Sequence, residues 1–162
     1  DLAKQLFNGL RKKVGMGTDS SNASVQTAVA KSESYRAMLT VFERDCEYFQ
    51  MVAGRHSTSA IFMLQPFIPW MRKSLTSQES ELFKLLDLEA GDFSSILSEL
   101  TEIKEKYKQD LHSICVKIGL QFIDLNEVPE LQEPDWLFVD RAHFTDLGNS
   151  VVARSIVQYL QL

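Results

Sequence analysis

Ligand sets for a metal ion are missing from this chain. Its two cysteines, Cys46 and Cys115, form no Cys-x-x-Cys, and its three histidines (His56, His112 and His143) show no paired spacing. Zinc needs three or four such groups held together, so no metal is expected, and no cofactor either. Long apolar runs are also missing. None approaches the ~20 residues that cross a bilayer, so no membrane span is expected. Positive charge is not in excess: 17 Lys and Arg stand against 22 Asp and Glu, a net charge of -5. That balance argues against a general binder of nucleic acid or of an anionic membrane, though it leaves room for a local basic patch. Both cysteines fall on apolar helical positions and read as buried free thiols, which does not decide the compartment. The chain starts at Asp1. A removed signal peptide would leave no trace there, so localisation stays open.

What is present suits one globular domain. The chain has 162 residues, 44% hydrophobic and 24% charged, enough to bury a core. Leu2, Leu6 and Leu10 predict a short helical piece over 1–13, and Gly15–Asn22 reads as a loop. Ser24 is placed to cap a long helix over 25–53. Its apolar face is Val25, Ala28, Val29, Tyr35, Met38, Leu39, Phe42, Cys46, Phe49 and Ala53, and Gly54 suits the residue that ends it. Ala60–Leu64 is short, continuous and apolar, as expected of a strand buried on both faces of a parallel sheet. Gln65-Pro66 ends it, and Pro66–Ser74 follows as a loop that carries Trp70. Thr76-Ser-Gln-Glu79 reads as a capping box opening a helix to about Leu86. Glu89–Asp92 reads as a turn.

The spacing of Leu97, Leu100, Ile103, Tyr107, Leu111, Ile114, Cys115 and Ile118 predicts one helix over 95–118. Its other face is charged, which suits solvent and some i,i+4 pairing. His112 lies near that boundary as a structural or exposed residue. Gly119 stops the helix, and Leu120–Leu125 reads as a second strand. Asn126–Asp135 reads as an irregular acidic loop. Strands alternating with helices imply an α/β chain with a parallel sheet in a three-layer α/β/α sandwich. Functional groups then belong at the carboxyl ends of the strands.

The chain is organised around Asp140-Arg-Ala-His-Phe-Thr-Asp-Leu-Gly-Asn149. Leu137-Phe138-Val139 brings the backbone out of a core just before it. Asp140 can reach one ring nitrogen of His143, fix its tautomer and leave the other nitrogen free as a base. The carboxylate is expected within about 3.2 Å of Nδ1, with Nε2 facing a cleft. Thr145 suits the N-cap of a last helix whose inner face is Leu147, Val151, Val152, Ile156, Tyr159 and Leu160. A bare Asp-x-x-His also fits a surface turn whose acid merely flanks a helix.

With its flanks, this stretch resembles the last sequence block of the SGNH (GDSL-type) hydrolases, in which Asp-x-x-His supplies two members of a Ser-His-Asp triad and a Gly-Asn helix follows. Asp140, His143, Gly148 and Asn149 fit that pattern in order and spacing. The likeness extends over about residues 35–162, with its specific part at 140–149. It implies a flavodoxin-like SGNH fold, catalytic His143 and Asp140, and an ester substrate, carbohydrate or short-acyl. Trp70, in the loop after a strand ending Leu-Gln-Pro, either lines a substrate pocket or covers the core edge. Trp136, just before the motif, is the second candidate for substrate contact.

The remaining SGNH blocks do not appear. The family places its nucleophile in Gly-Asp-Ser after the first strand and adds a Gly and an Asn as oxyanion donors. Gly17-Thr-Asp-Ser20 has an extra Thr and basic residues upstream. Gly91-Asp-Phe-Ser94 has an interposed Phe at a helix start. Only two strands are expected where ordinary sheets have about 4–6. The expectation is therefore the C-terminal portion of an SGNH domain, inactive by itself, with the serine upstream and Asp1-Leu2 as the tail of the Gly-x-Asn-Asp block. Missing strands would leave an exposed sheet edge open to association. Two alternatives stay open: a non-catalytic module that binds a ligand or protein, and an O-acyltransferase in which an alcohol replaces water.

Overall fold

The computed structural model describes residues 20–90 and 93–161, with side chains from residue 32 onward except 89–95. The helical piece expected over 1–13 and Gly17-Thr-Asp of the first Ser motif lie outside the described residues. The chain divides into two compact units, Asp1–Val41 and Phe42–Leu162. Both strands and the Asp140 motif belong to the second.

Helix α1 spans Ser20–Arg55. It starts four residues before Ser24, which is therefore inside the helix and not its cap. It also passes Gly54. The left-handed residue that ends it is Ser57, at φ 52°. Thr58 N donates to Ala53 O at 3.1 Å and Ser57 N to Gly54 O at 3.2 Å, the paired bonds of a Schellman stop. Gly54 is thus an exposed helical glycine, and a Cβ built on it meets nothing within 4 Å. Gly54→Ala is expected to stabilise the protein by about 0.5–1 kcal/mol, because Ala loses less backbone entropy on folding. Thermal denaturation checks this; a lower melting temperature would contradict the helical placement.

Strands β1 (Ile61–Leu64) and β2 (Gln121–Asp124) pair in parallel, in register from Ile61 opposite Gln121 to Leu64 opposite Asp124. Among the described residues they form a two-stranded sheet. The chain is therefore α/β with a parallel pair, as expected. The strands are less buried than expected: Leu64 and Ile123 are buried, but Ile61, Phe62 and Met63 keep partial exposure. Among the described residues each strand has a strand neighbour on one side only.

Alternation sends side chains to two apolar clusters. Ile61, Met63 and Ile123 join Phe83, Leu125, Val128, Leu131, Leu137, Phe138 and Val151. Phe62 and Phe122 join Phe42, Cys46, Cys115, Ile118 and Leu120. Phe62 meets Phe42 edge-on at 4.8 Å and stacks on Phe122 at 5.9 Å. The two cysteines are buried free thiols in this second cluster, and burial pushes the Cys115 thiol up to about 12. Phe49, expected on the inner face of α1, is 66% exposed.

Helix α2 covers Ser77–Ala90, four residues beyond the expected Leu86. Glu89 and Ala90 are thus helical and not part of a turn; Gly91 and Asp92 lie outside the described residues. The capping box forms: Glu79 accepts from Thr76 N at 2.9 Å, and Thr76 Oγ1 accepts from Glu79 N at 3.2 Å. The single helix expected over 95–118 is two, α3 (Phe93–Glu102) and α4 (Lys104–Ile118). Trp70 supplies the reason. Its indole N–H donates to Leu100 O at 2.9 Å, the carbonyl that would accept from Lys104 N in an unbroken helix. Lys104 Nζ in turn donates to Trp70 O at 2.7 Å. A side chain inserted into the ladder is a recognised cause of a kink. Ile103, at the break, is consequently 37% exposed.

The segment 126–135 is more ordered than the irregular loop expected. Two 3₁₀ turns, Leu125–Glu127 and Pro129–Leu131, bury Asn126, Val128 and Leu131. Helix α5 runs Asp146–Leu160, and Thr145 caps it by accepting from Gly148 N at 3.1 Å. Its buried positions are Gly148, Val151 and Ser155; Leu147 and Tyr159, expected inside, are about half exposed.

Gly148 lets α5 lie against the backbone of Leu137. A Cβ there would sit 2.1 Å from Leu137 O and 3.1 Å from Phe144 Cβ. The obstacle is backbone, so a rotamer change cannot relieve it. Gly148→Ala is expected to cost about 3 kcal/mol through forced backbone movement. Urea denaturation measures this, and a loss under about 1 kcal/mol would mean that the packing has slack.

Candidate active site

The residues after the two strands are tied together at the carboxyl end of the sheet. Asn126, following β2, is 2% exposed. Its Oδ1 accepts from Phe67 N at 2.7 Å, and its Nδ2 donates to Gln65 O at 3.2 Å and Asp124 Oδ1 at 2.8 Å. Asn126 thus joins the loop after β2 to the loop after β1. Asp124 also faces the Lys108 ammonium at 2.7 Å. Burial alone would raise the Asp124 carboxyl, but Lys108 and Asn126 outweigh it and hold the group below its usual range.

The motif is the tip of a narrow stem. Thr145 N donates to Leu137 O and Val139 N to His143 O, both at 2.9 Å, and Phe138 bridges Phe144 in antiparallel fashion. The loop after β1 holds the tip from outside. Gln65 Nε2 donates to Ala142 O at 2.6 Å and Ile68 N to Arg141 O at 2.9 Å. Arg141 reaches α2, pairing with Asp87 at 2.7 Å and lying over the Phe83 ring at 5.2 Å.

Within the tip, the Asp140 carboxylate divides its two oxygens. Oδ1 accepts from Ala142 N and His143 N, each at 2.8 Å, closing the turn. Oδ2 lies 2.7 Å from His143 Nδ1. The turn therefore fixes the carboxylate, and the carboxylate fixes the ring. Burial alone would raise the Asp140 carboxyl; the two backbone N–H groups and the imidazole outweigh it and hold the group below its ordinary value of 3.8. A depressed carboxyl stabilises the fold above its unfolded pKa, and that contribution is lost as pH falls through the lower, folded value.

The His143 side chain is 74% exposed. One cavity of about 250 Å³ lies between Val128–Glu130 and Ser155, Gln158 and Tyr159. Another of about 400 Å³ is lined by Lys108, His112, Phe122 and Asp124. Neither includes Asp140 or His143.

The two tryptophans fall differently. Trp70 packs edge-on against Phe67 at 5.3 Å and tilted against Tyr107 at 5.6 Å, with its N–H on Leu100 O. These are the contacts of a wedge between loop and helix. Trp136 is 44% exposed; its indole N–H donates to Phe138 O at 2.9 Å, and its carbonyl accepts from Thr145 Oγ1 at 3.0 Å. It lies on the stem that carries the dyad. Ser20 and Phe93-Ser94 of the two Ser-containing motifs fall at the starts of α1 and α3. His112 is exposed, its ring edge-on to Phe122 at 5.4 Å.

One feature of this region is not announced by any short-range pattern in the sequence. The side chains of Lys73 and Glu79 are both fully buried and lie 3.4 Å apart. Lys73 Nζ donates to Glu133 O at 2.6 Å and Asp135 O at 2.7 Å. Glu79 Oε1 accepts from Leu137 N and Phe138 N, each at 3.1 Å. The available signal was the capping box, which accounts for one end of Glu79 and says nothing of the rest.

Among the described residues no group of three or more His, Cys, Asp or Glu could hold a metal ion, and no helix is long and apolar enough to cross a membrane. Compared with models of known protein families and with curated proteins, the chain matches none.

Proposed function

We propose that this chain carries the histidine and carboxylate of a serine ester hydrolase of the SGNH (GDSL) type, with the nucleophilic serine and the oxyanion donors upstream of these residues. The observation that carries the reading is the 2.7 Å contact of Asp140 Oδ2 with His143 Nδ1, made while Oδ1 is held by its own turn. A carboxylate on Nδ1 selects the tautomer whose Nε2 lone pair is free. The position beyond the ends of two parallel strands suits an α/β enzyme. Apolar clusters on both faces of the sheet support a three-layer arrangement of the flavodoxin-like kind. The outer edges of β1 and β2 are where further strands would add.

In this reading, His143 Nε2 removes the serine proton as the oxygen attacks the ester carbonyl. The imidazolium, stabilised by Asp140, then returns that proton to the departing alcohol and leaves an acyl-serine. Water repeats the sequence and releases the acid. An alcohol in place of water would make the protein an O-acyltransferase. The substrate class is a carbohydrate or short-acyl ester.

One observation favours a second reading. His143 is 74% exposed and lines neither of the two cavities described above, which suits a binding module of the same fold. A fluorophosphonate probe separates the two in the complete protein. The enzyme reading expects one serine to be phosphonylated, and His143→Ala to abolish the labelling. An unlabelled protein that turns over no acyl ester would support the binding module instead.

A further inference from the structure

Two full charges sit at 0% side-chain exposure in Lys73 and Glu79. Removing such charges from water is costly, and apolar residues of similar size often serve stability as well or better. Stability alone is therefore a weak account of the pair. Its hydrogen bonds point to another. Lys73 grips the carbonyls of Glu133 and Asp135, and Glu79 grips the N–H groups of Leu137 and Phe138. All four backbone groups lie on the segment that leads into Asp140. The other Glu79 oxygen is tied to Thr76 N in the first turn of α2. The pair thus fastens the outgoing arm of the stem to a helix.

The stem has few bonds of its own: Leu137 to Thr145, Val139 to His143, and Trp136 to the Thr145 hydroxyl. A two-stranded hairpin this short is marginal in water. Frayed at Leu137 and Phe138, it would no longer keep the backbone of residues 140–143 closed around the Asp140 carboxylate.

We infer that the buried Lys73–Glu79 pair is a positioning device for the Asp140–His143 dyad, acting through the backbone of Leu137 and Phe138; this rests on the catalytic reading given above. Neither residue need touch substrate. In Glu79→Gln the amide oxygen is expected on the side of the Lys73 ammonium and Thr76 N, where Oε2 lies, which turns the amide N–H groups against Leu137 N and Phe138 N and releases the stem.

The test is the tautomer of His143, read from ring nitrogen shifts of protein labelled with ¹⁵N-histidine. With three histidines in the chain, the signals are assignable by single substitution. In the wild type, neutral His143 is expected to carry its proton on Nδ1. In Glu79→Gln that form should cease to dominate. In the complete protein the same change should lower kcat about 10²-fold with little change in KM, the effect of a misplaced catalytic group. Thr76→Ala removes the hydroxyl that caps Glu79 N and meets Glu79 Oε2, but it leaves Glu79 Oε1 on Leu137 N and Phe138 N, so it should leave the His143 spectrum unchanged.

Should Glu79→Gln fold poorly, Lys73→Met with Glu79→Gln buries no unpaired charge and takes its place. An unchanged tautomer in the folded variant overturns the inference and leaves the dyad standing. An equal shift in Thr76→Ala, at matched loss of melting temperature, also overturns it. A wild-type His143 that is not protonated on Nδ1 removes the dyad itself.

Discussion

On the proposed hydrolase reading, His143→Ala in the protein that carries the nucleophilic serine is expected to remove nearly all ester hydrolysis while hardly moving the melting temperature. The side chain is 74% exposed, and its hydrogen bond is to a carboxylate whose own side chain is 36% exposed. Little packing is lost, so the stability change should stay within about 0.5 kcal/mol. On that reading the chemistry has no such reserve, because His143 is the base assigned to the nucleophile. Asp140→Asn sharpens the test. An asparagine carbonyl can still accept from Ala142 N and His143 N, so the turn should survive. Its amide would then offer N–H groups to Nδ1, favouring the tautomer whose Nε2 is already protonated. The comparable change in a serine protease costs about 10⁴ in turnover, and a loss of that order is expected here. Hydrolysis of a panel of acyl esters measures both variants. Equal activity of wild type and His143→Ala would refute the assignment.

The features legible in the sequence are those written at short spacing. The Thr76 and Glu79 box, the Thr145 cap and the Asp140–His143 contact each span three residues, and local geometry leaves them little choice. The two strands were legible because continuous apolar runs flanked by helices have few other uses. Their parallel pairing followed from the length of chain between them. What escaped depends on partners far along the chain. The break at Ile103 is set by Trp70, about 30 residues earlier, and no periodicity within α3 or α4 announces it. Asn126 looked like a loop residue, yet it joins the ends of both strands. Gly54 looked like a helix stop because glycine favours that role, but the helix continues until Ser57 takes the left-handed conformation. Nothing in the Pro66–Ser74 loop marks Lys73 as buried, since lysine is almost never buried without a partner. That partner, Glu79, was already accounted for as a cap.

Lys73→Met is expected to destabilise the protein by about 3–5 kcal/mol, because it leaves the Glu79 carboxylate buried beside a thioether. For a chain of this size such a loss lowers the melting temperature by roughly 10 °C or more. Glu79 would keep its three backbone donors, Thr76 N, Leu137 N and Phe138 N, which places the effect toward the lower end of the range. Glu79→Gln leaves the Lys73 ammonium with two carbonyls and no counter-charge, so a loss of similar size is expected. The two changes together should cost less than their sum, since the second removes the charge that the first strands. A coupling of about 1–3 kcal/mol is the expected result of the double-mutant cycle. Strict additivity would mean that the two side chains do not sense each other across their 3.4 Å separation. Their common effect would then come from the backbone groups each holds, and the pair would be two separate clamps on residues 133–138 instead of one.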